Sequence, residues 1–482
     1  MHRPALRLLP ILCALTLLAP AAASGQAPDV SRTEAVEALR AVEAVFTDQL
    51  AAGGGASRGA TAALRDLAIA LPELRGAQRS RAESFLTRPT DDGRAYFGRE
   101  AKFSPICSPD ICVHWTNKKQ NAPDSPEFIR EVITATNLSH EVETGPLRFR
   151  APKPDAKRGA REAAGRKGQV DVYITNLGPG LYGYAAPDPD QEGQRRHAYL
   201  VLDNNYVGFP SPPLDSMRAT VAHEYNHILQ FNYDTFQDLW FFESSATWSE
   251  EQVYPDNNDY LNYLPAFAGG SRFPLTGDGI KIYSAAVWNH WLSSRYGLGI
   301  VQDAWAASSA GVQPKHLATA AYTEAIRANG GRSFSSEFGT FAAATAEWNS
   351  STSFPDAGIY PGMRRTGTLG RKPQEVELDN TSYRLVDVKL GNGPISLRVK
   401  APRRTSSAIA LVGREGGLDE GTVTTDLEQL GKGGVATVTL PDPGRFTRIT
   451  AVIVNTDGRR NGVARNNRRY LGDGSVYRYE LG

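Results

Sequence analysis

The chain has 482 residues, 41% of them hydrophobic and 22% charged. That is a globular composition, and the length is too great for one ordinary domain, so two or three units are expected. A formal net charge of +1 leaves no global field to attract nucleic acid or an anionic membrane, and neither is expected as a partner.

Residues 1–23 read as a signal peptide. Arg3 and Arg7 give a basic start, Leu8 to Leu18 an apolar stretch, and Ala21-Ala22-Ala23 a small-residue cleavage pattern. The apolar stretch is short for a membrane span. A lipoprotein with Cys13 as the lipidated residue is the alternative, and the bulky Leu12 before it speaks against that. No later run is long enough to span a membrane, so a secreted, extracellular protein is expected. Cleavage removes two arginines and no acid, which takes the formal charge from +1 to −1. Cys107 and Cys112 then remain. In an exported chain they most simply form a local disulfide. A metal pair would need more ligands than the neighbouring His114.

Residues 24–99 read as a helical N-terminal segment. SRTEAVEALRAVEAVF has apolar positions near helical spacing, with Ser31 as N-cap. AAGGGASRGA (51–60) is a flexible break. TAALRDLAIALPELRGAQRSRAESFL continues the Ala/Leu/Arg texture. Two readings stay open: a pro-segment that shields an active site until removed, or a helical subdomain that stays attached.

From about residue 100 the texture changes. ICVHWT (111–116), VDVYITNL (170–177) and AYLVLDNN (198–205) are strand-like, and PEFIREVITATNLSHEV between the first two is helical. KPDAKRGAREAAGRKG (153–168) reads as a solvated basic insertion. Helices dominate from about 214 to 348. The segment LDSMRATVAHEYNHILQFNYD (214–234) follows Pro212-Pro213, with Asp215 or Ser216 as a helix cap. The four-residue step from His223 to His227 puts two imidazoles one turn apart on one face, able to reach a single metal ion at about 2.0–2.1 Å. Glu224 stands beside them, placed to work on a metal-bound water. This is the His-Glu-x-x-His arrangement of zinc proteases.

A catalytic zinc needs three protein ligands and one open position. Fifteen residues separate Glu243 from His227, enough for a turn and a second helix. It lies within the apolar run Leu239-Trp240-Phe241-Phe242, where a carboxylate is costly unless paired or metal-bound. Glu250 and Glu251 are rivals in more polar surroundings, better suited to surface or supporting roles. Tyr283, in KIYSAAVWNHWL, is the candidate donor for a developing oxyanion, with a core tyrosine as the plain alternative. His290 is a second candidate. AYLVLDNN is a candidate edge strand above the metal. Asp256, Asn258 and Asp259 are the only hint of calcium, without a twelve-residue loop pattern to support it.

His-Glu-x-x-His with a downstream Glu resembles the gluzincins, the group of thermolysin-like proteases and zinc aminopeptidases. Trp240-Phe-Phe-Glu243-Ser-Ser-Ala246 looks like the aminopeptidase pattern Trp-Leu-x-Glu-Gly-x-Ala. HEYNHILQFNYD followed by FFESSATWSEEQVYPDNNDYLNYL is similar to a myxobacterial-type family of secreted metalloproteases, over residues from about 100 to the C-terminus. The resemblance implies zinc on His223, His227 and Glu243, with Glu224 as base. The chain departs from the pattern at Ser244, where Gly is usual, and at Thr247, where thermolysin-like enzymes carry an Asp that orients a ligand histidine. No Gly-Ala-Met-Glu-Asn exopeptidase signature is present, which favours an endopeptidase.

Beyond about residue 370, SYRLVDVKL, ISLRVKA, SAIALVG, VATVTL and ITAVIVNT are short strand-like runs between turns, the pattern of a β-sandwich. The expectation is therefore an α+β protein: a zincin-like catalytic domain (100–365) after the helical segment, then a β-sandwich accessory domain (366–482). The expected activity is hydrolysis of protein or peptide by a zinc-activated water. A zinc hydrolase of non-protein or cell-wall substrates, and a binding protein without turnover, are the rivals. The intact Glu224 argues against the second.

Overall fold

The computed structural model describes residues 28–48, 59–91, 97, 105–118, 120–155, 168–189, 191–350, 354–391, 393–416, 423–461 and 475–482. The signal peptide, most of the Gly-rich break and most of the basic insertion lie outside them. The chain is a mixed α/β protein with helices and three sheets.

Helices α1 (Arg32–Asp48), α2 (Ala60–Ala70) and α3 (Gly76–Leu86) come first. Ser31 starts α1 as expected: its hydroxyl accepts from Glu34 N, and the Glu34 carboxylate accepts from Ser31 N. Pro72 lies between α2 and α3, where the helical run breaks into a short 3-10 turn.

The first sheet takes β1 (Ile106–Cys107), β2 (Ile111–His114), β3 (Val170–Ile174), β4 (Gly183–Pro187) and β5 (Ala198–Leu202), with α4 (Pro126–Thr144) crossing between β2 and β3. Its order is β1-β2-β3-β5-β4. β2, β3 and β5 run parallel; β4 is antiparallel to β5. Cys107 and Cys112 face each other across the β1–β2 hairpin and form the disulfide. AYLVLDNN is therefore an interior strand, and the edge beside the candidate catalytic helix is β4. β4 carries little strand signal of its own, because Gly-Tyr-Ala-Ala-Pro has low strand propensity and Pro suits only an edge.

Both faces of this sheet are covered. Val172, Ile174, Ala185, Leu200 and Leu202 join the core built with α4 and α5 (Pro213–Phe231). Tyr173, Tyr184, Ala186, Tyr199 and Val201 face the other way, into a core with Leu39, Leu64, Leu67 and Phe85 of the N-terminal helices. The period-2 alternation of the strands thus divides two cores.

After α5 come α6 (Leu239–Val253), α7 (Leu264–Gly269), α8 (Lys281–Ser284), α9 (Ala286–Tyr296), α10 (Ile300–Ser309), α11 (Ala318–Ala328) and α12 (Phe334–Thr345). α5 begins at Pro213, so Asp215 sits in its first turn and is not its cap. This suits Pro, whose missing N–H costs nothing at a helix start.

The remaining strands are β6 (Thr368–Leu369), β7 (Gln374–Glu377), β8 (Ser382–Val388), β9 (Ile395–Ala401), β10 (Ser407–Arg414), β11 (Val423–Leu430), β12 (Gly434–Leu440), β13 (Arg448–Asn455) and β14 (Val476–Leu481). They form two sheets, β11-β10-β13-β8-β6 and β12-β9-β14-β7. Ile409, Leu411, Ala451 and Ile453 share a core with Leu397, Val399, Val438 and Tyr479 of the second sheet. The opposite face, with Ala408, Ala410, Val412, Val452 and Val454, joins the large core that includes Phe338 and Phe341 of α12. The expected boundary near residue 366 is thus crossed by a continuous apolar core.

Candidate metal centre

Helix α5 is buried along nearly all its length, from Ser216 to Phe231 apart from Arg218. Small residues let it approach the sheet. A Cβ built on Gly183 of β4 would stand 2.9 Å from Thr220 Cγ2 and 3.0 Å from Val201 O, so only glycine permits this approach of edge strand and helix. α6 packs against α5 after a turn pinned at several points. In that turn Asp234 accepts from Ser308 Oγ (2.7 Å) and lies 2.9 Å from His316 Nδ1, and Asp238 accepts from Ala318 N at 2.7 Å.

This arrangement brings His223, His227 and Glu243 together, with one ligand atom from each within 4.8 Å of the others. Glu243 Oε2 lies 3.2 Å from His223 Nε2 and 3.7 Å from His227 Nε2. All three residues are buried, at 1%, 0% and 0% exposure. His227 Nε2 and Glu243 Oε1 have no hydrogen-bond partner. Buried polar atoms of that kind cost about 1–3 kcal/mol each when unmet, and a cation between them would satisfy both. Two imidazole nitrogens and a carboxylate oxygen form a donor set suited to a divalent transition metal.

The other edges of the imidazoles are fixed. His223 Nδ1 lies 2.7 Å from Glu250 Oε1, and His227 Nδ1 lies 2.6 Å from Gln230 Oε1. Gln230 Nε2 donates to Phe242 O and Ser245 Oγ, each at 3.0 Å, which sets the orientation of its amide. Both acceptors call for N–H at Nδ1 and leave Nε2 turned to Glu243. The charges agree. Burial works against a charged His223, but hydrogen bonds with Glu243 and Glu250 hold its pKa up to about 10. Burial likewise works against a charged Glu243, yet the pull of the nearby His227 and the hydrogen bond with His223 hold it down to about 2. The carboxylates around His223 thus favour positive charge on that imidazole.

Glu224 is 1% exposed. Its Oε2 accepts a hydrogen bond from Thr61 Oγ1 of α2 at 2.7 Å, and the same Thr61 oxygen accepts from Ala185 N of β4 at 2.9 Å. Nothing in the sequence around Thr61 signals this contact, which spans 163 positions. Tyr283 lies near the site, its ring centroid 6.1 Å from that of His223 at a 40° tilt, and 5.2 Å from Tyr263. His290 packs on Tyr260, 5.0 Å between centroids; burial draws its pKa down to about 3, which makes it a neutral core histidine. Glu250, a rival ligand by sequence, takes a supporting role. Glu251 faces away toward acids: burial, then Asp356, Glu250 and Asp256, push its pKa up to about 8. The Asp256–Asp259 turn joins helix ends, with Asn257 Nδ2 donating to Asp215 O at 2.8 Å. Among the described residues, the His223/His227/Glu243 group alone brings three His, Cys, Asp or Glu ligand atoms together in this way.

Residues 211–358, which contain α5 through α12, match the model of a family of unknown function, DUF6055. No curated protein matches the chain.

Proposed function

We propose that the chain is a secreted zinc-dependent peptidase, with a zincin-like catalytic unit and a C-terminal β-sandwich. The observation that carries this reading is the convergence of His223, His227 and Glu243 on buried, unmet acceptor atoms, with Glu224 adjoining on the same helix. The Cys107–Cys112 disulfide supports an oxidising compartment.

His223, His227 and Glu243 would hold the zinc, which when bound supplies a Lewis acid and an acidified water. Glu250 and Gln230 keep the imidazoles turned inward. Glu224 takes a proton at its carboxylate and passes it to the leaving amine. Tyr283 donates to the oxyanion that develops on the scissile carbonyl. The Ala185 N–H points away from β5, as its bond to Thr61 requires. An extended peptide aligned on β4 would use that donor and be held against α5.

The test combines metal analysis with peptide turnover. One zinc per chain is expected, lost in His223→Ala. The wild type should cut a mixed peptide library, and Glu224→Gln should keep the zinc and lose the cutting. A wild type that binds no zinc, or a Glu224→Gln chain as active as wild type, refutes the reading.

A further inference from the structure

A peptidase must admit a polypeptide, yet every group the reaction needs is sealed. His223, Glu224, His227 and Glu243 are each at most 1% exposed and Tyr283 is 7% exposed. The element that touches the base is α2. Resting on the peptidase reading above, we propose that α2 is a built-in plug, an internal inhibitor seated in the substrate cleft with the Thr61 hydroxyl in place of a substrate group.

Three contacts along one face of α2 carry the proposal. Thr61 occupies both groups a peptide would need: its hydroxyl donates to Glu224 Oε2 (2.7 Å) and accepts from the outward Ala185 N–H (2.9 Å). A hydroxyl that gives its proton to Glu224 takes the place of the attacking water, and by accepting from Ala185 N it also fills the edge-strand donor that a peptide carbonyl would use. One turn on, Arg65 Nη1 donates to Gln237 O at 3.0 Å, and its guanidinium lies over the Phe242 ring, 4.8 Å from the centroid. Phe242 in turn packs on His227, 5.9 Å between centroids. At the next turn Ala68 O accepts from Arg196 Nη1 at 3.0 Å. Positions 61, 65 and 68 fall on one helical stripe, which lies along the base, the wall of the metal site and the end of the β4–β5 hairpin.

The plug is anchored on both sides. Leu64, Leu67 and Leu71 are buried against the sheet. Beyond α3, Arg88 is 2% exposed, with Asp188 2.8 Å from its Nε, Asp155 3.0 Å from its Nη1, and Asp171 also paired to Nη1. Packing of this extent holds the cleft closed in the intact chain, and turnover by that chain is limited by the fraction in which α2 has left.

The test uses the full chain loaded with zinc. Thr61→Ala/Arg65→Ala loosens the plug at the site, and Arg196→Ala loosens it from outside α2. Three quantities are read: affinity for a peptidyl hydroxamate, kcat/KM on a peptide, and hydrogen exchange of the Ala185 amide. The proposal expects the double variant to gain about tenfold or more in hydroxamate affinity and in kcat/KM, which corresponds to about 1.4 kcal/mol of lost docking. Ala185 should exchange faster, and Arg196→Ala should move all three in the same direction by less. If α2 is instead a permanent wall that positions Glu224, the variants lose activity and gain no hydroxamate affinity, and the plug is overturned. Zinc content keeps the two readings apart. A chain that binds zinc and cuts slowly, but whose variants are no faster, overturns the plug and leaves the peptidase standing. A chain without zinc overturns both.

Discussion

His223 Nδ1 and Glu250 Oε1 lie 2.7 Å apart across α5 and α6, so the imidazole is held from the second helix. Thr247 stands one turn after Glu243, where the resemblance to thermolysin-like enzymes would place an orienting Asp. Glu250, two turns after Glu243 on the same face of α6, reaches the imidazole instead. Glu250→Ala should therefore weaken zinc binding about 10–100-fold, measured by competition with a chelating dye. An unchanged affinity would remove Glu250 from the metal centre.

Tyr283 offers a sharper kinetic signature. Its ring lies beside His223, and an oxyanion donor acts only in the transition state. Tyr283→Phe should lower kcat about a hundredfold and leave KM and zinc content nearly unchanged. Loss of zinc together with activity would mean that the ring serves packing and not the reaction.

The Gly183–Thr220 contact predicts a packing effect on function. A methyl at Gly183 enters within 2.9 Å of Thr220 Cγ2, and overpacking of this sort costs about 1–3 kcal/mol. Gly183→Ala should lower the Tm and reduce kcat/KM through KM, because β4 moves off α5. Adding Thr220→Ser, which removes the offending methyl, should restore part of both losses. Failure of that rescue would locate the defect elsewhere.

Glu251 gives a pH dependence. Burial and the neighbouring Asp356, Glu250 and Asp256 raise its folded pKa from 4.5 to about 8, so the folded chain holds this proton more tightly than the unfolded chain. Its contribution to stability is complete below the unfolded pKa and is lost as pH rises through about 8. Glu251→Gln, which mimics the protonated acid, should match wild type near pH 4.5 and melt higher than wild type near pH 9. Equal Tm values at both pH values would contradict this.

The helices and most strands were legible because their signals are local. Ile395–Ala401, expected as ISLRVKA, is β9 over the same residues, and Ser31, expected as the N-cap of the first helix, caps α1. The residues of the candidate centre were legible for the same reason: a four-residue step on one helix and a carboxylate stranded among aromatics. What escaped was long-range. β4 has weak strand propensity and exists because β5 and α5 flank it. β11, with Asp426 and Glu428 in its run, earns its place by pairing with β10 along its whole length. Gln230 looks like an ordinary helix residue until His227 is seen beside it. Thr61 meets Glu224 only through tertiary structure.

Strand β10 is buried at every position, with even-numbered residues packed toward α12 and odd-numbered ones toward the second C-terminal sheet. Such a strand is an inner wall shared by two rooms, and neither room stands without it. A fragment ending before Thr368 would strip Phe338 of its contact with Tyr383, and the C-terminal strands alone would bare Ala408, Ala410 and Val412. The C-terminal strands are accordingly part of what makes the helical half a folded body, and the whole chain should melt in a single transition instead of shedding its C-terminal third first.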